Sequence, residues 1–185
     1  EITAHLEDYI DYSLNNKSND DVLAFLQACP DMLLLIKKSA DSTALTKSPT
    51  PRGWTRVQEL LNNCHLEDRL LLELVSGILG PETASSFFGF MKNGNFKIPS
   101  AEKLLIDYIS VRPIVEQLIE QNRIDIINLL IRKVIVHFDS SEVQLKNLGA
   151  FVDSLPEELG VLFFKLLATK RPEDFEWVSE SIDAF

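Results

Sequence analysis

Apolar residues recur along this chain at helical spacing, and no stretch gives a credible strand pair or hairpin. Leu6, Ile10 and Leu14 mark one face of a first helix. Asn19 or Asp20 caps a second, with Val22, Phe25 and Leu26 inward, which ends before Pro30. A short apolar run from Met32 to Ile36 follows. Ser39 to Pro51 is polar and rich in Ser, Thr and Pro, and reads as a linker. The next helix starts at Pro51 and carries Trp54, Val57, Leu60 and Leu61 on its apolar side. Glu67 to Leu79 follows, with Leu70, Leu71, Leu74, Val75 and Ile78 inward and Gly80 as its stop. Pro81-Glu82 opens a helix through Phe87, Phe88 and Met91, which Asn93-Gly94-Asn95 ends.

The second half is denser in apolar residues. Ser100 caps a helix from Ala101 to Ile109, and Pro113 starts another from Ile114 to Gln121. Arg123 to Phe138 is rich in β-branched residues, yet its period of 3.6 and its length favour a buried helix, with Arg132-Lys133 on the solvated side. Ser140 or Ser141 caps a helix to Asp153. Leu155-Pro156-Glu157-Glu158 opens the next, with Val161, Phe164 and Leu167 inward, and Pro172 starts a last one with Phe175, Trp177 and Val178. The expected class is all-α. It divides into 1–38, helices leading in; 39–51, a linker; 52–95, a helical bundle; and 96–185, a second bundle. There is no repeat of fixed period.

Charge changes this picture at one place. The chain carries a net charge of -10, but from Lys37 to Arg56 five cations (Lys37, Lys38, Lys47, Arg52, Arg56) face one acid, Asp41. Within that island Thr50 suits an N-cap and Pro51 the first helical position. Arg52 then falls in the first turn, where the helix dipole prefers an anion and a cation is a misfit of about 0.3–1 kcal/mol. An arginine beside free helix N–H groups would make a phosphate or carboxylate site.

Composition narrows the rest. With 185 residues, 45% hydrophobic and 25% charged, the chain is an ordinary globular one. The acidic balance argues against nucleic-acid binding, and no apolar run is long enough for a membrane helix. Cys29 and Cys64 read as buried reduced thiols in a cytoplasmic protein, slow to react. The scattered histidines His5, His65 and His137 make no zinc pattern. No G-x-x-x-x-G-K-[ST], G-x-S-x-G or H-E-x-x-H motif is present. The acidic pairs Asp20-Asp21, Glu67-Asp68 and Glu157-Glu158 sit at helix starts and suit the dipole there.

The run Ser48-Pro49-Thr50-Pro51-Arg52-Gly53-Trp54, with Val57 and Leu60-Leu61 after it, resembles the S-P-R-x-W segment that opens the C-terminal lid of MoxR-like AAA+ ATPases. Val75-Ser76-Gly77-Ile78-Leu79-Gly80-Pro81-Glu82-Thr83-Ala84-Ser85-Ser86-Phe87-Phe88-Gly89-Phe90 is similar to their G-x-x-G-x-x-x-A-x-x-F-x-x-F helix pair. Val22-Leu23-Ala24-Phe25-Leu26 with Pro30-Asp31-Met32-Leu33 matches the helix before the lid, and Leu155-Pro156-Glu157-Glu158-Leu159 a late L-P-x-E helix. Thr50 stands where the family has Ser. The resemblance implies an AAA+ lid-like bundle followed by a second helical bundle, with Arg52 as the sensor-2 arginine on ATP. The ATP and its Mg²⁺ would lie on a preceding αβ domain, since the phosphate-binding loop and the Mg²⁺-binding acids would come before Glu1. It implies a homo-oligomeric ring that remodels a partner, often one with a von Willebrand factor A domain. The alternative is an all-helical protein–protein interaction module with no nucleotide role.

Overall fold

The computed structural model describes residues 5–35, 47–93 and 98–182. Lys37, Lys38 and Asp41 of the basic island, most of the linker, and Gly94-Asn95 lie outside them. Among the described residues the chain is entirely helical, with eleven α-helices and one 3-10 turn. It divides into two units, Glu1–Phe96 and Lys97–Phe185.

The first unit holds α1 (Leu6–Leu14), α2 (Asp20–Ala28), a 3-10 turn (Pro30–Met32), α3 (Pro51–Asn63), α4 (Asp68–Leu79) and α5 (Pro81–Asn93). Short polar side chains start two of these helices, α2 and α3. Asn19 accepts from the Val22 N–H at 3.4 Å, and Thr50 Oγ1 from the Gly53 N–H at 3.1 Å. Gly80 ends α4 with φ 91°, a left-handed backbone that a side chain would strain. The core is aromatic. Phe25 of α2 lies 5.5 Å from Trp54 of α3 and 5.4 Å from Phe87 of α5, ring centre to ring centre. The Trp54 indole N–H donates to the Met32 carbonyl at 2.8 Å, which ties α3 to the turn after α2.

Two expectations fail on α4. Leu70 and Leu74 are exposed, on the side of α4 away from its main packing partners α3 and α5 among the described residues. Cys64 is exposed and Cys29 half-buried, so the buried-thiol reading is corrected. Both follow the last residue of a helix, where the chain is leaving the core.

The second unit comprises α6 (Ala101–Ile106), α7 (Tyr108–Glu120), α8 (Ile124–His137), α9 (Glu142–Asp153), α10 (Glu157–Lys170) and α11 (Pro172–Ser181). Here α8 is central, packed by α6, α7 and α10. That position buries Arg132 (9% exposed) and Lys133 (8%), which the sequence reading placed on a solvated side. Their aliphatic stems cover apolar surface, as long cationic side chains commonly do. The helix start expected at Pro113 is also corrected. The break falls at Asp107, whose carboxylate accepts from Ser110 N–H, while Pro113 lies inside α7. The carbonyl that Pro113 cannot bond belongs to Ile109, on the exposed side, where water can serve it. In α10 the buried residue is Phe163, while Val161 is exposed.

Candidate functional site

Arg52 is placed by its cap. Thr50 is extended, with φ -142° and ψ 157°, and turns its hydroxyl onto the Gly53 N–H. Pro51 has no N–H to offer, so the first turn keeps only the Arg52 N–H without a helical acceptor. The backbone therefore contributes less to anion binding than the sequence suggests, and the guanidiniums contribute more. Gly53 lets this helix start sit close to the end of α4, since a Cβ there would lie 3.1 Å from Leu79 Cδ2 and 3.3 Å from the capping Thr50 oxygen.

Arg52 is exposed and lies on the wall of a cavity of about 610 Å³ between α1 and α3. Arg56, one turn on, lines the same cavity. Among the described residues, neither guanidinium has an ion-pair or hydrogen-bond partner. Two like charges four residues apart on a helix cost about 0.2–0.5 kcal/mol, and Arg52 also opposes the helix dipole. An anion in the cavity would relieve both costs. The facing wall comes from α1, with His5, Asp8, Tyr9 and Tyr12. A second cavity of about 580 Å³ shares Tyr12, Thr55 and Glu59 with the first, so a groove runs along the α1–α3 contact.

The floor of the groove is fixed by Gln58, to which sequence reasoning gave no role. Gln58 is buried on α3. Its amide donates to Tyr9 Oη at 2.8 Å and to Ser13 Oγ at 3.1 Å, and its carbonyl oxygen accepts from the Asn19 N–H at 2.7 Å. One side chain thus joins α1, the start of α2 and α3. Burial pushes the Tyr9 phenol above its ordinary range, against the opposite pull of hydrogen bonds with Thr55, Ser13 and Gln58. Tyr9 therefore stays neutral near pH 7 and holds the wall rather than acting as a base. Gln58→Leu should cost at least about 1–3 kcal/mol, the cost of stranding a buried polar group, because it strands several. Urea unfolding followed by circular dichroism checks this, and a loss below half a kcal/mol would mean that water replaces the amide.

Among the described residues, no group of three or more His, Cys, Asp or Glu is placed to hold an ion. No helix among them is long and apolar enough to cross a membrane. Of the residues gathered at the groove, only Arg52 had been singled out from the sequence; Arg56 had been counted only within the basic island. The α1 wall carried no local signal, because its meeting with α3 is a tertiary event. No family model, no curated protein and no solved structure matches this chain.

Proposed function

We propose that these residues are the C-terminal helical part of a MoxR-like AAA+ ATPase, with the first unit as its lid. The observation that supports this reading is the setting of Arg52. It is an exposed guanidinium, unpaired among the described residues, in the first turn of a helix opened by Thr50-Pro51, on a cavity wall with a second such arginine. In this reading Arg52 reaches the terminal phosphates of ATP bound with Mg²⁺ on a preceding αβ domain. A forked, charge-assisted contact of that kind ties the angle of the lid to the nucleotide present. The chain has no phosphate-binding loop of its own and does not hydrolyse ATP by itself. A homo-oligomeric ring, remodelling of a partner such as a von Willebrand factor A domain protein, and a cytoplasmic setting belong to the same proposal. The free thiols Cys29 and Cys64 agree with such a setting.

The coding sequence upstream of Glu1 tests this reading directly. A strand followed by G-x-x-x-x-G-K-[ST] is the expected finding. An upstream region without one would remove the ATPase reading.

One observation favours a second reading for the second unit, as a protein-docking surface. Ile106 (66% exposed), Ile109 (82%) and Val143 (63%) are apolar and face solvent. Asn147 joins the segments that carry Ile106 and Val143, its side-chain amide lying 3.0–3.1 Å from the carbonyls of Leu105, Ile106 and Val143. Exposed branched side chains on joined segments suit the apolar face of a partner helix.

A further inference from the structure

We infer that the α1–α3 groove binds a nucleoside polyphosphate directly, with Arg56 as a second phosphate-contacting cation and Tyr12 as the surface for the base. This deepens the lid reading, on which it rests for the role of Arg52. It adds a second arginine and the α1 wall, which that reading does not use.

Three features of the groove select this ligand. First, Arg52 and Arg56 lie on one face of α3, four residues apart, and both line the cavity without a partner among the described residues. On a helix such residues stand about 5–6 Å apart at Cβ, so two forked donors converge on neighbouring groups of one polyanion. Second, Tyr12 is 53% exposed, stacks on no other ring among the described residues, and lies where the two cavities meet. An unpartnered aromatic face beside a cationic wall suits a ligand with a flat ring joined to phosphates. Third, the carboxylates of Asp8 and Glu59 line the same cavity and are also unpaired among the described residues. They repel a bare anion, but they accept hydrogen bonds from sugar hydroxyls or a ring amino group. A volume of about 610 Å³ is of the size that holds a small molecule. The net charge of -10 disfavours a nucleic-acid chain and leaves a single nucleotide as the fitting occupant.

The test titrates the 185-residue chain with ADP and, separately, with pyrophosphate, and follows backbone amides by ¹H–¹⁵N correlation spectra. Saturable shifts at Asp8–Tyr12 and Arg52–Glu59 are expected with both ligands. Arg56→Ala should weaken both at least tenfold, and Arg56→Lys, which keeps the charge without the fork, by less. Tyr12→Ala should weaken ADP severalfold and leave pyrophosphate unchanged. Amides of α4 and α5, in the same unit but outside the groove lining, that keep their positions in each variant confirm that the fold survives. Absence of saturable shifts at these two segments would overturn the inference, as would wild-type affinity in Arg56→Ala. Equal loss of ADP and pyrophosphate binding in Tyr12→Ala would overturn the role of Tyr12. The lid reading fails separately. It is lost if Arg52→Ala has no effect on ATP binding by the parent protein that it implies, whatever this chain binds alone.

Discussion

Replacing Trp54 with alanine is expected to remove about 3–5 kcal/mol of stability, the range for deleting a large aromatic from a core. Trp54 is fully buried. Its ring meets Phe25 and Phe87 at 5.5 Å each, so the loss takes α2, α3 and α5 together. It also strands the Met32 carbonyl that accepts the indole N–H. Equilibrium urea unfolding by circular dichroism measures the change. Trp54→Phe should recover most of it, since the ring is kept and only the donor is lost. A loss under about 1 kcal/mol for the alanine variant would mean that the aromatic cluster relaxes around the hole, and that Trp54 does not anchor the start of α3.

The second large effect lies in the other unit. Asp174 is buried near the start of α11 and meets Arg171 Nη2 at 2.6 Å. Its other oxygen accepts from Ser140 Oγ at 2.5 Å. Arg171 in turn donates to the Phe138 carbonyl and stands over the Phe138 ring, which stacks on Trp177. Ser140 holds a left-handed backbone, φ 62°, that a residue with a side chain adopts at a cost. The cluster thus pins the α8–α9 turn to α11. The contact of Asp174 Oδ2 with the guanidinium is close but poorly aligned for a hydrogen bond, so its contribution is chiefly that of an ion pair. Asp174→Ala leaves a largely buried guanidinium with only the exposed Glu173 carboxylate, 3.8 Å from Arg171 Nε, as counter-charge. The expected cost is about 3 kcal/mol, at the low end for breaking a buried pair because Arg171 is partly solvated. The melting temperature followed by Trp177 fluorescence in a Trp54→Phe background reports it. A variant that melts with its parent would show that the Ser140 turn stands without the ion pair.

Features set by near neighbours in the chain could be read from the sequence. The caps at Asn19, Thr50, Ser100 and Ser141 each use a side chain and an N–H three residues on. The burial of Trp54 follows from its place among Val57, Leu60 and Leu61. Features set by distant residues could not be read. The break at Asp107 depends on Asn147, whose side chain accepts from the Tyr108 N–H and donates to the end of α6. Nothing near Pro113 announces that. Arg132 and Lys133 look like a solvated pair until α6, α7 and α10 close around α8. Gln58 looks like a surface residue until Tyr9, Ser13 and Asn19 arrive to satisfy it. At the candidate site the same division holds. The misfit of Arg52 with its helix start is local and legible, whereas the facing Asp8 and Tyr12 belong to a helix about forty residues earlier.

The lid reading is tested most directly by the affinity of the parent protein that it implies for a non-hydrolysable ATP analogue, wild type against Arg52→Ala. Loss of one charge-assisted contact should cost about 1.5–3 kcal/mol, or roughly 10- to 150-fold in affinity. Arg52 is exposed and its guanidinium holds no partner among the described residues, so the variant should fold as the wild type does. A fall of that size is the result predicted. Unchanged affinity would make Arg52 an ordinary residue at a helix start and contradict the lid assignment.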